Sequence, residues 1–385
     1  MRVVCSSVSV KCCCSPVLYM VPDANARKVY PLFDKSIPSF IITIPRNFCS
    51  GEFKMKYRKI NGTEIEISVI GMGCWAIAGD KMWGPQKKKD TEASLKTAVD
   101  SGINFFDTAE LYGDGYSEEL LGTFLKPDRE NIIIATKAGR SNLAYEDAKR
   151  ACEKSLRRLK TDYIDLYQIH WPNGDIPMEE TVRAFSELRK EGKIREAGIS
   201  NFGVLDLETL TSSTLFRTNQ LPYNLLWRPI EHRIIDKCEQ LNMGIICYSP
   251  LAQALLTGKY RSADEVPDGR TRSRHFSGSR PMARHGGPGF EDETFAAIDR
   301  IRNICARIGR SMAAVSLNWL IHQKGVLTVI AGARNPQQVR ANVQAQQITL
   351  DSSVYGELAS ATDTVKEKCG TSPDMWESEE NARIH

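Results

Sequence analysis

What this sequence lacks narrows its function before any motif is found. No run approaches the roughly 18 consecutive apolar residues of a membrane-spanning helix. There is no CxxC pair, no HExxH and no GxGxxG turn, so a redox dithiol, a zinc-protease helix and a Rossmann dinucleotide fold all lack their signatures. "TGKY" at 257–260 has neither the upstream Gly nor the Ser/Thr of a phosphate loop. Charge of one sign is missing too: 51 Lys+Arg against 47 Asp+Glu leave +4, and no dominant basic surface for nucleic acid. No spacing of His, Cys, Asp or Glu reads as a metal site.

The 385 residues, 42% hydrophobic and 25% charged, have the composition of a globular protein, long enough for two average domains or one large α/β barrel with a tail. Of eleven cysteines, five fall in the first fifty residues and six are scattered singly, which points to a reducing compartment, with Cys247 as a small buried hydrophobe. Residues 1–54 differ from the rest. They hold seven Lys/Arg against three Asp/Glu, are rich in Ser and Cys, and carry one short apolar run, "FIITIP". Two readings stay open for them: an organellar transit peptide, which would place the protein in a mitochondrion or chloroplast, or an unstructured extension ahead of Met55 on a cytoplasmic protein.

From Lys56 the text becomes regular. "KYRKI-NG-TEIEIS" predicts a β-hairpin around Asn61-Gly62. Eight β-branched runs follow, at 68–73, 103–107, 131–137, 163–170, 194–200, 217–221, 244–250 and 326–332, several of them apolar throughout, as strands buried on both faces should be. Between them lie helical periods such as "EDAKRACEKSLRRLK", where Ala148, Cys152, Leu156 and Leu159 share one stripe. Alternation of this kind predicts a parallel sheet. Eight units without a composition break predict a (β/α)8 TIM barrel over 55–365, capped by the hairpin. A Gly-, Arg-, Ser- and His-rich connection from about Ala252 to Pro288 predicts a functional loop after strand seven, and 366–385 are left as a tail.

In such a barrel, chemistry sits where strands end at their C-terminal edge. "FFDTAELYG" puts Asp107 at one lip and Tyr112 in the following loop, "ATK" puts Lys137 at the next lip, and "YQIHWP" puts His170 at the third. Taken singly, each is an ordinary turn residue, snorkelling lysine or satisfied core histidine. Together they suggest a scheme, because a buried strand should not end in a charge unless that charge is partnered. A Lys ammonium beside a phenol is expected to lower the phenol pKa from about 10. Asp107 would hold Lys137, and His170 would steer a substrate oxygen toward Tyr112.

These three segments resemble, in order and position, those that carry the catalytic Asp, Tyr, Lys and His of the aldo-keto reductase superfamily. The similarity runs from about Met55 to about Thr362. "YSPLAQALLTGKY" and "GARNPQQV" are similar to the branch with potassium-channel β subunits and bacterial or plant reductases. The resemblance implies reduction of a small carbonyl compound by NADP(H), with Tyr112 as general acid/base, Lys137 and Asp107 tuning it, and His170 orienting the carbonyl. It also implies Ser200, Asn201 and Gln220 on the nicotinamide carboxamide and Tyr248 beneath the ring. Ser249, Leu251, Gln253, Gly258 and Lys259 would wrap the pyrophosphate, with a phosphate at the N-terminus of the last helix. Where well-known members carry a Lys-Ser pair and a later Arg for the 2′-phosphate, this chain has Gly332, Ala333 and Gln338. That leaves Arg334 as the implied cation, with Gln338 and Asn342 as adenosine contacts. Trp75, Trp83 and Trp171 lie in loops near the lip, placed to line a substrate pocket or pack into the core.

Three other readings compete. Tyr145 and Lys149 have the Tyr-x-x-x-Lys spacing of a short-chain dehydrogenase, but the Gly-rich turn is missing. A Schiff-base aldolase would use Lys137 as nucleophile. A regulatory subunit would bind NADP and barely turn over.

Overall fold

Continuous β-branched runs separated by amphipathic helices suit strands buried on both faces of a parallel sheet, and rolling that sheet into a cylinder also leaves it no open edge. The computed structural model has that form. It describes residues 54–79, 83–210 and 213–385, together with two paired two-residue strands, β1 (Val4–Cys5) and β2 (Val8–Ser9). The "FIITIP" run lies outside the described residues. Contacts divide the chain into Met1–Lys54 and Met55–His385.

In the second unit, β3 (Tyr57–Lys59) and β4 (Glu66–Ser68) form the hairpin, with Arg58 opposite Ile67. A turn closed by Thr63 N–H to the Ile60 carbonyl sets Asn61 and Gly62 at its centre, and the φ of +71° at Gly62 explains why glycine is there. The barrel follows: β5 (Ile70–Gly73), β6 (Phe105–Asp107), β7 (Ile133–Ala138), β8 (Ile164–Ile169), β9 (Ile194–Ser200), β10 (Phe216–Pro222), β11 (Gly244–Tyr248) and β12 (Val326–Gly332), all parallel. It closes in sequence order, β12 pairing with β5. The helices are α1 (Lys88–Asp100), α2 (Tyr116–Phe124), α3 (Tyr145–Leu159), α4 (Met178–Lys190), α5 (Val204–Glu208), α6 (Ile234–Gln240), α7 (Glu291–Arg307), α8 (Met312–Ile321), α9 (Pro336–Ala345), α10 (Ser352–Ser360) and α11 (Asp363–Cys369). On α3 the predicted stripe is the buried one, with Leu156 only partly covered.

Alternation along the strands explains where the polar groups go. Phe105, Ala135 and Leu166 point into the barrel and form one apolar cluster with Ile246, Leu327 and Ile330, into which the hairpin inserts Ile60, Ile65 and Ile67. The hairpin therefore stoppers the N-terminal end. Two residues further along the same strands, on the same inward face, come Asp107, Lys137 and Gln168. The interior thus changes from apolar at the stopper to charged at the mouth.

Two expectations need adjustment. The connection after β11 is long, as predicted, but carries short helical turns at Ala252–Thr257, Ala263–Glu265 and Asp268–Arg270. Residues 366–385, set apart as a tail, lie within the Met55–His385 unit: Asp374 and Met375 are buried, and the Met375 carbonyl accepts from Arg274 N–H. The six scattered cysteines are free and buried. Among the described residues no helix is long and apolar enough to cross a membrane.

Candidate active site

The mouth of the barrel is organised around one buried ion pair. Lys137 Nζ donates to Asp107 Oδ1 and to the Thr108 carbonyl, both at 2.8 Å, and reaches the Tyr112 hydroxyl at 3.4 Å. Lys137 is 0% and Asp107 3% exposed, so neither charge has water as a partner. The other carboxylate oxygen of Asp107 accepts from Gln220 Nε2 at 2.7 Å. His170, one residue past β8, sets its ring edge-on to the phenol with centroids 5.7 Å apart, and Trp75 stacks on the same phenol at 5.6 Å and 16°. All four predicted catalytic residues therefore meet.

Their electrostatics differ from the sequence expectation. Burial pushes the Tyr112 phenol well above its ordinary value, and the Asp107 charge and Cys74 push in the same direction. The expected lowering by Lys137 does not prevail: burial dominates, and the Asp107 carboxylate bonded to the same ammonium works against it. Burial lowers the Lys137 pKa, opposed by Asp107. Burial, then the Lys137 charge, holds His170 well below the usual imidazole value. At neutral pH the cluster is thus a protonated phenol beside a neutral imidazole, and it can give a proton to an oxygen placed between them.

Beside it runs a second network. Ser200 Oγ donates to the Gln220 carbonyl at 2.9 Å, Asn201 Nδ2 to the His170 carbonyl at 3.0 Å, and the Tyr248 hydroxyl to Asn201 Oδ1 at 2.8 Å. Ser200, Asn201, Gln220 and Tyr248 are thereby joined to the four residues expected to be catalytic. Ser249, Leu251, Gln253, Gly258 and Lys259 lie on the loop after β11, which is conformationally unusual. Four of the eight non-glycine residues with positive φ among the described residues lie on it, Ser249, Ala252, Gln253 and Ala254, and a fifth, Asn201, follows β9 in the network just described. Each costs roughly 1–2 kcal/mol, and such strain gathers where a backbone must present its amides to a ligand. Gln253 Oε1 is buried with no hydrogen-bond partner among the described residues, and so is His170 Nδ1.

Gly332, Arg334, Gln338 and Asn342 sit at the end of β12 and on α9 and do not touch the catalytic cluster. Two details depart from the phosphate site implied there. Asn335 caps α9 with its own side chain, taking the Gln338 amide at 2.9 Å, and Pro336 has no N–H to offer. Arg334 does not point outward unengaged: its guanidinium donates to Gln86 Oε1 and to the carbonyls of Trp83, Gly84 and Pro85. Asn342 Nδ2 approaches the Gly332 carbonyl at 3.4 Å.

Of the three tryptophans, Trp83 packs edge-on against Trp75 at 5.6 Å, close to Tyr112, while Trp171 is covered by Arg383 at 3.9 Å. Sequence reasoning missed the groups that hold these rings. Arg270, Arg272 and Arg274 each place a guanidinium over a tryptophan: Trp83 at 5.9 Å, Trp75 and Trp376 at 5.4 and 4.4 Å, and Trp227 at 5.6 Å. Thr271 and Ser273 between them, and His275 after them, are buried. The repeat R-x-R-x-R was the available signal. Glu110 was missed as well; its carboxylate accepts from Gly139 N–H and from Asn142 Nδ2, tying the Tyr112 loop to the one after Lys137. Gln168, two residues before His170 on an apolar strand, could have been found from alternation alone. Tyr145 and Lys149, by contrast, both bond Glu187 on the outer helices, away from the mouth.

Comparisons with known proteins agree on a family. The sequence profile of the Aldo/keto reductase family matches residues 69–363. The chain is 36% identical over 313 residues to the aldo-keto reductase YhdN of Bacillus subtilis, covering 77% of this chain and 91% of that one. It is 30% identical over 335 residues to an Escherichia coli protein named NADH-specific methylglyoxal reductase, covering 80% and 99%. Among solved structures, an aldo-keto reductase from Klebsiella pneumoniae in complex with NADPH superposes with a TM-score of 0.64 at 31% identity, covering 81% and 96%. A glycerol dehydrogenase from Gluconobacter oxydans gives 0.69 at 30% identity, covering 82% and 97%.

Proposed function

The chain belongs to the aldo/keto reductase family, and from that premise we propose that it reduces small aldehydes or ketones to alcohols with NADP(H), using Tyr112 as the proton donor. The carrying observation is the Lys137 ammonium lodged between Asp107 Oδ1 and the Tyr112 hydroxyl, with the His170 ring against the same phenol. Several features of the mouth fit the cofactor: the carboxamide-sized polar set Ser200, Asn201 and Gln220, the partly exposed Tyr248 ring, the unpartnered Gln253 oxygen and the strained loop beside it. NADPH, when bound, supplies the hydride. His170, neutral, donates a hydrogen bond to the carbonyl oxygen and sets it against the phenol. Tyr112 keeps its proton until that oxygen gains charge, then gives it up; the alcohol O–H forms as the phenol O–H breaks. The phenolate left behind faces the Lys137 ammonium at 3.4 Å, which stabilises it until solvent returns a proton.

Lys137 is a poor Schiff-base nucleophile here, since its amine already donates to Asp107, Thr108 and Tyr112. Purified protein should consume NADPH with a panel of aldehydes, and Tyr112→Phe should stop turnover while still quenching NADPH fluorescence. Borohydride-dependent attachment of substrate to Lys137 would overturn this reading in favour of an aldolase. Binding without turnover on every carbonyl tried would leave a cofactor-binding subunit.

A further inference from the structure

Arg334 stands at the end of β12, where the proposed cofactor would place its adenosine, yet its bonds run to the loop beside the substrate pocket. Nε donates to Gln86 Oε1 at 2.7 Å, Nη1 to the Trp83 carbonyl at 2.6 Å, and Nη2 to the carbonyls of Pro85 and, at 3.4 Å, Gly84. Gln86 Nε2 returns a bond to the Arg334 carbonyl at 3.0 Å. These contacts join residues some 250 positions apart in sequence. A guanidinium has five N–H donors, and a phosphate held bidentately takes two of them in parallel. Four are spent on the loop, so a phosphate can be gripped in this way only if at least one loop acceptor is released.

What the loop carries makes this matter. Trp83 lies edge-on to Trp75, and Trp75 stacks on Tyr112. We propose that Arg334 is a positioning residue that couples the two ends of the site: it clamps the 83–86 loop and thereby the tryptophans beside the acid, and the 2′-phosphate of NADPH competes with that loop for its guanidinium. NADPH and NADH would then leave differently ordered carbonyl pockets, which a simple 2′-phosphate ligand would not do. This inference rests on the reductase reading, so its test has one arm that needs no turnover.

In that arm, hydrogen exchange of the peptide spanning 83–87 is followed in protein without cofactor. Adenosine 2′,5′-bisphosphate should speed its exchange and adenosine 5′-diphosphate should not; Arg334→Ala should speed it unaided and erase the response. In the kinetic arm, with NADH saturating and no 2′-phosphate present, Arg334→Ala should raise the aldehyde KM on the order of tenfold, the scale of one hydrogen bond from a charged donor. Gln86→Ala, which removes the clamp from the loop side, should raise that KM in the same direction with either cofactor. Unchanged exchange at 83–87 with the bisphosphate and in Arg334→Ala would overturn the proposal, as would an aldehyde KM with NADH that neither variant moves. Absence of any turnover in the wild type would defeat the reductase reading while the exchange arm still decides the clamp.

Discussion

The two sides of the barrel mouth are built from opposite materials. On one, Asp107, Lys137 and Gln220 project from parallel strands in ordinary backbone geometry, and their polar atoms are bonded to one another. On the other, the loop from Ser249 to Gly258 holds left-handed residues in succession and leaves a buried amide oxygen unpaired. The strand side spends its stability on holding charge out of water. The loop side spends it on holding a shape. Under the proposed function the difference teaches that proton chemistry, which needs angstrom-level placement, would be given to the rigid wall, while grip on a long ligand would fall to a backbone held out of its relaxed form.

Breaking the strand side, or the phenol of the neighbouring loop that it holds, should have the largest effects. Tyr112→Phe should lower kcat/KM for an aldehyde by about 10²- to 10⁴-fold, the range of a lost general acid, with little change in melting temperature. Lys137→Met should damage both activity and fold, because it leaves Asp107 buried without its cation; removing one partner of a buried pair destabilises by roughly 3–5 kcal/mol, readable as a lower urea midpoint. A stable Lys137→Met protein would mean that water reaches Asp107 and that the wall is not dry.

The pH dependence sharpens the contrast. With the phenol raised and the imidazole lowered, neither ionises between the ordinary imidazole and phenol values, so kcat/KM for reduction should stay flat from about pH 6.5 upward until the Lys137 ammonium, itself lowered by burial, gives up its proton. Stability should behave otherwise. His275, a buried residue of the long loop itself and bonded to Ser273 and the Leu226 carbonyl, is pushed down to about 4, chiefly by burial. Its folded value lies below its unfolded one, so the unfolded chain takes up a proton first. Stability is then lost as pH falls from about 6.5 toward about 4, by roughly 3 kcal/mol if no other group intervenes. His275→Gln should flatten that slope in a melting series.

The smallest effect belongs to the strained loop. Ala254 has φ of 81°, and Ala254→Gly should raise stability by roughly 1 kcal/mol while weakening NADPH binding, because the relaxed loop no longer holds its shape beforehand. A gain in stability with unchanged affinity would show that the left-handed run serves packing alone.

How much of this was legible in the sequence follows from which contacts are local. All eight barrel strands were placed within a few residues, because burial on both faces writes itself as an apolar run. Asp107, Lys137 and His170 stood out because each interrupts such a run at its end. The direction of the Tyr112 shift was not legible: depth of burial, and the bonding of Lys137 to Asp107, are properties of the assembled barrel. Trp376 and Arg383, in a stretch of ordinary acidic composition, gave no sign that they would settle over Tyr248 and Trp171. Nor could any local pattern show Arg334 turned toward Trp83.

The three alternate arginines have a mechanical implication. A guanidinium over a tryptophan contributes roughly 0.5–1 kcal/mol at a partly exposed site, so no single rung would keep the segment in place. Spaced two residues apart, with buried Thr271 and Ser273 between them, however, the rungs cannot be undone one by one without lifting those buried residues as well. The segment should therefore lift like a zip fastener with a single slider, either seated or away, and whatever it covers is exposed in one step rather than by degrees.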